Sequence, residues 1–160
     1  MAGSPRYLQL LDNVAKALVP VYLGGSDWEY LDQRWYHLTQ RQSTHNLQEI
    51  ATVSFQIIAR ETKQGIDKVL ADARQLHINK NAGYAGASNP DPWANFRLSD
   101  AFGVSPVDGV LVRMSDKYIR IQNLRKDATN ERVGESLMDT LRDLAAYALI
   151  AICLMEEKYG

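Results

Sequence analysis

Cysteine is almost absent from this 160-residue chain, and its scarcity excludes more chemistry than any other feature of the composition. The single residue, Cys153, rules out an intramolecular disulfide and any zinc site built from cysteines; its setting in an apolar run reads as a small buried thiol. An excess of charge of either sign is missing too. Lys and Arg number 18 against 19 for Asp and Glu, so no global field favours nucleic acid or an anionic membrane, and any preference for polyanions must be local. Long hydrophobic runs are lacking. The longest uncharged stretch, Leu144 to Met155, has 12 residues, where a membrane span needs ~20. No cationic segment followed by an apolar one opens the chain, so no targeting peptide is expected and the location is read as cytoplasmic. Internal repeats, low-complexity segments and strand signals are scarce or absent.

What is present is helical periodicity on a hydrophobic content of 46%, which fits one all-α domain over residues 1–160. Leu8, Leu11, Val14 and Leu18 predict a helix over 7–18 that ends before Pro20. The Gly24-Gly25-Ser26-Asp27 turn starts a second one. Its stripe of Trp28, Leu31, Trp35 and Leu38 must be buried against the bundle or a second subunit, and the second subunit is the expectation. Leu47, Ile50, Val53 and Ile57 mark a helix over about 44–60, and Ile66, Val69, Leu70 and Leu76 another ending near Lys80. From Asn81 to Ser105 the pattern breaks into a long Gly, Pro and Asn-rich loop, a length that is usually functional.

Helix formation resumes with clear punctuation: Ser105 as cap, Pro106 at the first position and Asp108 three residues after the cap. Val110, Leu111, Met114, Tyr118 and Ile121 form the apolar face, while Arg113, Asp116, Lys117, Arg120 and Asn123 share a separate arc. That arc either faces a cleft or is a solvated face with pairs such as Asp116 and Arg120. After a linker over 126–134, Glu135, Asp139 and Asp143 recur at i, i+4, i+8 on a helix that continues into Ala146, Ile150 and Cys153. An acidic stripe that turns apolar on one face predicts carboxylates aimed inward, where unpaired charge is costly. Their counter-charge is either the basic arc or a divalent metal, Mg²⁺ or Mn²⁺, which also binds phosphate oxygens.

The Gly-rich segment does not end in Gly-Lys-Ser/Thr and no strand precedes it, so it is not a P-loop. Lys80, Tyr84, Trp93, Asn95 and Phe96 instead read as a lid that stacks rings on a base, or as a loop pinned to the core by its aromatics. His37, His45 and His77 share no metal-ligating spacing and receive no role.

Taken in order, Lys80-Asn81-x-x-Tyr84, Asn95-Phe96, Arg113-x-x-Asp116-Lys117-x-x-Arg120-x-x-Asn123 and Glu135-Ser136-x-x-Asp139-Thr140-x-x-Asp143-Leu144-Ala145-x-Tyr147 resemble the nucleotide-modification-associated domain of phages and bacteria. That domain is similar to the MazG-like, all-α nucleoside triphosphate pyrophosphohydrolases. The resemblance covers 62–158 and leaves 1–61 as an N-terminal helical extension. Gly83 stands where the domain usually carries Asp, and the Glu-Glu-x-x-Glu helix of MazG proteins is missing. The resemblance implies a homo-oligomer that binds a (deoxy)nucleoside triphosphate with Mg²⁺ and cleaves it to monophosphate and pyrophosphate. Glu135, Asp139 and Asp143 would then hold metal, with Asp116 as a candidate further ligand, and Asp116, Lys117, Glu135 and Asp139 would form the catalytic set. Arg113, Lys117 and Arg120 would neutralise the phosphates, Trp93, Asn95 and Phe96 would contact the base, and Lys80, Tyr84 and Asn123 would complete the substrate-binding set. The alternative is a non-catalytic nucleotide sponge or sensor, and a third reading is a structural module in which the acids pair with Arg113 and Arg120. Neither nucleic acid nor membrane is expected as a partner.

Overall fold

Serine side chains set four of the helix starts. Ser4, Ser26, Ser43 and Ser105 each accept from the backbone N–H three residues on, at 3.1 to 3.2 Å, satisfying a donor the first turn leaves unpaired. The computed structural model describes residues 3–14, 16, 26–83, 90–127 and 131–159, with side chains for all of these except 131–133, 158 and 159. Its helices are α1 Pro5–Val14, α2 Asp27–Gln40, α3 Thr44–Thr62, α4 Ile66–Asn81, α5 Ala94–Arg97, α6 Pro106–Lys126 and α7 Glu131–Tyr159, with a 3-10 turn at Leu98–Phe102. Among the described residues there is no strand, so the all-α expectation holds.

The 29-residue α7 is the central element, because its uncharged run buries residues on most of its circumference. Leu141, Leu144, Ala145, Ala148, Leu149 and Ala151 are fully shielded. A helix apolar all round belongs inside a bundle. Its broadest contacts are with α3 and α6, and α1 and α4 close the same core from the remaining side. No helix among the described residues is long and apolar enough to cross a membrane.

Three boundaries depart from expectation. The first helix stops at Val14, and residues 17–25 lie outside the described set, as does Tyr84. The segment expected as loop over 81–105 contains α5 and the 3-10 turn, since Trp93 and Phe96 bury rings there and hold a helical turn in place. The last helix begins at Glu131, so Gly134 is helical and the linker is shorter than its composition indicated.

The tryptophan stripe is satisfied within the chain. Leu31 and Leu38 are buried, Trp35 stacks on Tyr118 of α6 at 4.5 Å, and the Arg125 guanidinium lies 4.5 Å over the Trp28 ring. Between the two tryptophans, Asp32 accepts from the Tyr118 hydroxyl at 2.7 Å, from Gln122 at 2.8 Å and from Arg125 at 3.2 Å. Burial and the bond to Asp32 together hold the Tyr118 phenol protonated far above its ordinary range.

Candidate functional site

Six helices contribute to a cavity of about 290 Å³, with Tyr7 of α1 and Phe55 of α3 at its apolar side. α6 contributes Arg113 and Lys117, which the i, i+4 spacing places one turn apart on the same face. α4 contributes His77, Lys80 and Asn81, and α7 contributes Arg142, Asp143, Tyr147 and Ile150. α5 and the residues before it add Pro92, Trp93, Asn95 and Phe96.

The polar side of this cavity is built on one carboxylate. Asp143 is reached by Lys80 Nζ at 3.1 Å through Oδ1 and by Lys117 Nζ at 3.0 Å through Oδ2. Two lysines from different helices thus converge on one acid of a third. Arg113 stands beside them with its guanidinium 5.1 Å over the Phe96 ring. Arg142 reaches the cavity wall while pairing outward with Asp139 at 2.9 Å.

The apolar side is a run of rings. Trp93 is 2% exposed and sits 6.2 Å from Tyr7, 5.8 Å from His77 and 6.2 Å from Phe96, which meets Tyr147 edge-on at 6.4 Å. Such burial makes Trp93 a floor and agrees with the second of the two readings of this segment, a loop pinned to the core by its aromatics. Two contacts fix the segment that carries it. Asn81 Nδ2 donates to the Pro92 carbonyl at 2.6 Å, joining the end of α4 to the start of α5. Asp91 accepts from the Trp93 N–H at 3.0 Å and from Arg97, which also bonds Glu157 of α7 at 2.7 Å. Arg97 holds the Asp91 carboxyl below its usual range, so this clamp is charged at neutral pH.

His77 closes the inner end. Its Nε2 accepts from the Ser4 N–H at 3.2 Å and its ring stacks on Tyr7 at 3.8 Å. Burial lowers its pKa to about 4, leaving a neutral ring. Gly3 permits this approach: its φ is +100°, and a Cβ there would lie 3.0 Å from His77 Cδ2.

Of the residues singled out from the sequence, Lys80, Trp93, Asn95, Phe96, Arg113, Lys117 and Asp143 line the cavity together. Tyr84 lies outside the described residues, and the rest stand elsewhere. Arg120 shares a face with Arg113 but lies seven residues, or about 10 Å, further along α6, where its Nε bonds Thr140 Oγ1 at 3.3 Å. Asp116 and Asn123 are exposed outside the cavity wall.

The inward acidic stripe also needs correction. Four residues on an α-helix advance about 400°, so Glu135 and Asp143 differ by roughly 80° around α7. Asp143 therefore faces the cavity, while Asp139 is 76% exposed. Glu135 and Asp139 border a second hollow beside Glu61, which shares Arg142 with the cavity. Among the described residues no three His, Cys, Asp or Glu side chains are grouped to hold a metal, and Asp143 is already ion-paired to two lysines. The trio as arranged does not fit a shared Mg²⁺ or Mn²⁺ ion.

Tyr7, His77 and Arg142 were not foreseen. His77 continues the buried face of Val69, Leu70 and Ala73, where periodicity reads as core, and Tyr7 comes from a distant helix. Arg142 had a usable signal, since it adjoins Asp143 in a helix already marked by its charge pattern. Compared with known proteins, the chain matches no family model, no curated protein and no solved structure.

Proposed function

We propose that this chain is a nucleotide-binding protein, with phosphate received by the Lys80, Arg113 and Lys117 side of the cavity and the base by the Trp93, Phe96 and Tyr147 side. The observation that carries the reading is the pair of lysines converging on Asp143 beside a wall of aromatic rings. Ammonium groups held in place before a ligand arrives lose little freedom on binding it, and aromatic rings give a base a flat apolar surface. The resemblance to the nucleotide-modification-associated domain, and through it to a MazG-like fold, supports the same ligand class.

Hydrolysis of a (deoxy)nucleoside triphosphate to monophosphate and pyrophosphate is the second reading. It is favoured by Asp143, a carboxylate in the cavity wall next to the phosphate-binding lysines. A Mg²⁺-bound triphosphate would have to draw Asp143 away from both of them.

A thermal-shift panel of the common nucleotides tests binding, because a ligand at a hundredfold excess over Kd stabilises by about 2.7 kcal/mol. No shift with any nucleotide would refute the proposal. Incubation with Mg²⁺ and chromatography for monophosphate and pyrophosphate separates the two readings, and light scattering checks the self-association the resemblance implies.

A further inference from the structure

The charge count around the cavity narrows the ligand class. Lys80, Arg113, Lys117 and Arg142 bring four positive charges to its wall. Asp143 takes up one charge of the two lysines, and Asp139 offsets Arg142 from outside. Arg113 has an aromatic face as its partner and, among the described residues, no carboxylate in an ion pair. His77 is neutral at physiological pH, so it adds nothing. The surplus facing a ligand is thus two positive charges.

A phosphate monoester at pH 7 carries about −1.5 to −2, which matches that surplus. A cyclic phosphodiester carries one negative charge and would leave a cation unanswered. Each further phosphoryl group adds at least one negative charge, and a triphosphate would overfill the site unless a divalent cation came with it. The carboxylates nearest such a cation are committed: Asp143 to Lys80 and Lys117, Asp139 to Arg142. Space points the same way, since about 290 Å³ lies at the small end of ligand pockets.

We infer that the ligand is a nucleoside 5′-monophosphate bound without a divalent metal, its dianionic phosphate among Lys80, Lys117 and Arg113 and its base against Trp93 and Phe96. The inference rests on the nucleotide reading above and specifies its phosphorylation state. It also makes the monophosphate a recognised ligand in its own right, rather than a product to be released.

Isothermal titration of the full chain tests it. For each common base the titrants are the nucleoside, the 3′,5′-cyclic monophosphate and the 5′-mono-, di- and triphosphate, first in EDTA and then in Mg²⁺. The expected result is that, for at least one base, the 5′-monophosphate binds at least tenfold tighter than the nucleoside and the cyclic form. In EDTA it should bind at least as tightly as the triphosphate, and Mg²⁺ should change its Kd by less than twofold. Asp143→Asn adds one net positive charge and should shift the preference toward the diphosphate. A triphosphate that binds tenfold tighter, or a monophosphate that needs Mg²⁺, would overturn this inference and leave nucleotide binding standing. No binding by any titrant to folded protein would overturn both.

Discussion

Lys117 Nζ lies 3.0 Å from Asp143 Oδ2, and because Lys80 takes the other oxygen of that carboxylate, one acid on α7 positions cations from α4 and α6 together. The acid organises the lysines and also competes with any anion for them. Asp143→Asn is therefore expected to tighten the binding of phosphate-bearing ligands two- to tenfold. Its side chain is 25% exposed, so loss of the two contacts should cost about 1 kcal/mol of stability, read as a small drop in Tm. Weaker binding by the variant would show that the ordering of the two lysines by Asp143 outweighs its competition with the ligand. In a hydrolytic protein the same change would abolish turnover.

Lys80→Met and Lys117→Met each remove one of the converging cations while keeping the length of the apolar stem. Each is expected to weaken nucleotide binding at least tenfold. Because both lysines act on one phosphate and share one acid, the double variant should lose less than the product of the single losses. Titration of the three variants against wild type decides this, and strictly multiplicative losses would mean that the lysines act separately.

Asp139→Asn distinguishes a surface ion pair from a buried one. Asp139 is 76% exposed and pairs with Arg142 three residues on, a geometry worth about 0.2–0.5 kcal/mol. The melting temperature without metal should hence move by a degree or so. A loss near 3 to 5 kcal/mol would indicate an uncompensated buried charge instead.

The sequence displays its helices because each has a local signature: Ser105 before Pro106, the alternating three and four spacings of α2, the uncharged run of α7. It also displays the cationic half of the cavity, since Arg113 and Lys117 share a helix face that any correct helix assignment reveals. The meeting of Lys80 with Asp143 is different. Sixty-three residues separate them, and their contact depends on how α4 crosses α7, which no local pattern encodes. The orientation of the acids is not legible from their spacing alone, because a spacing of four rotates around the helix and two such steps separate a solvent-facing Glu135 from a cavity-facing Asp143. Burial of Trp93 depends on α1 and α4 closing beneath it, so the sequence offers a loop pinned to the core as one of two readings and has no local signal that chooses it over a lid.

Acidification should loosen the cavity floor through His77. Its folded pKa of about 4 is below the ordinary value of 6.5, so the unfolded chain binds the proton more readily. Stability contributed by the neutral ring is full above about pH 6.5 and is lost as pH falls toward 4. The pKa difference sets an upper limit of roughly 3 kcal/mol on that loss. Protonation also puts a hydrogen on Nε2, which then no longer accepts from the Ser4 N–H. His77→Gln, whose amide oxygen can accept the same bond, should flatten the dependence of Tm on pH between 6.5 and 4. A variant with the wild-type slope would assign the acid sensitivity to other groups.

The N-terminal helices bear on whether residues 62–158 form a unit by themselves. α1 buries Tyr7, Leu8, Leu10, Leu11 and Val14, and α2 buries Leu31 and Leu38, all in the core that α7 organises. At about 1.5 to 3 kcal/mol for each of the larger side chains, their removal is comparable to or greater than the 5 to 15 kcal/mol by which a domain is ordinarily stable. Deleting residues 1–42 also strips Tyr7 from beneath His77 and exposes the Tyr118 face that Trp35 covers. The truncated chain is expected to lose its cooperative thermal transition and its helical circular dichroism at every concentration. Trp35→Ala, a smaller version of the same damage at a half-buried site, should cost about 2 kcal/mol and still fold. A truncated chain that melts cooperatively and keeps its helicity would show that 62–158 is an autonomous domain and that the first two helices serve a partner instead.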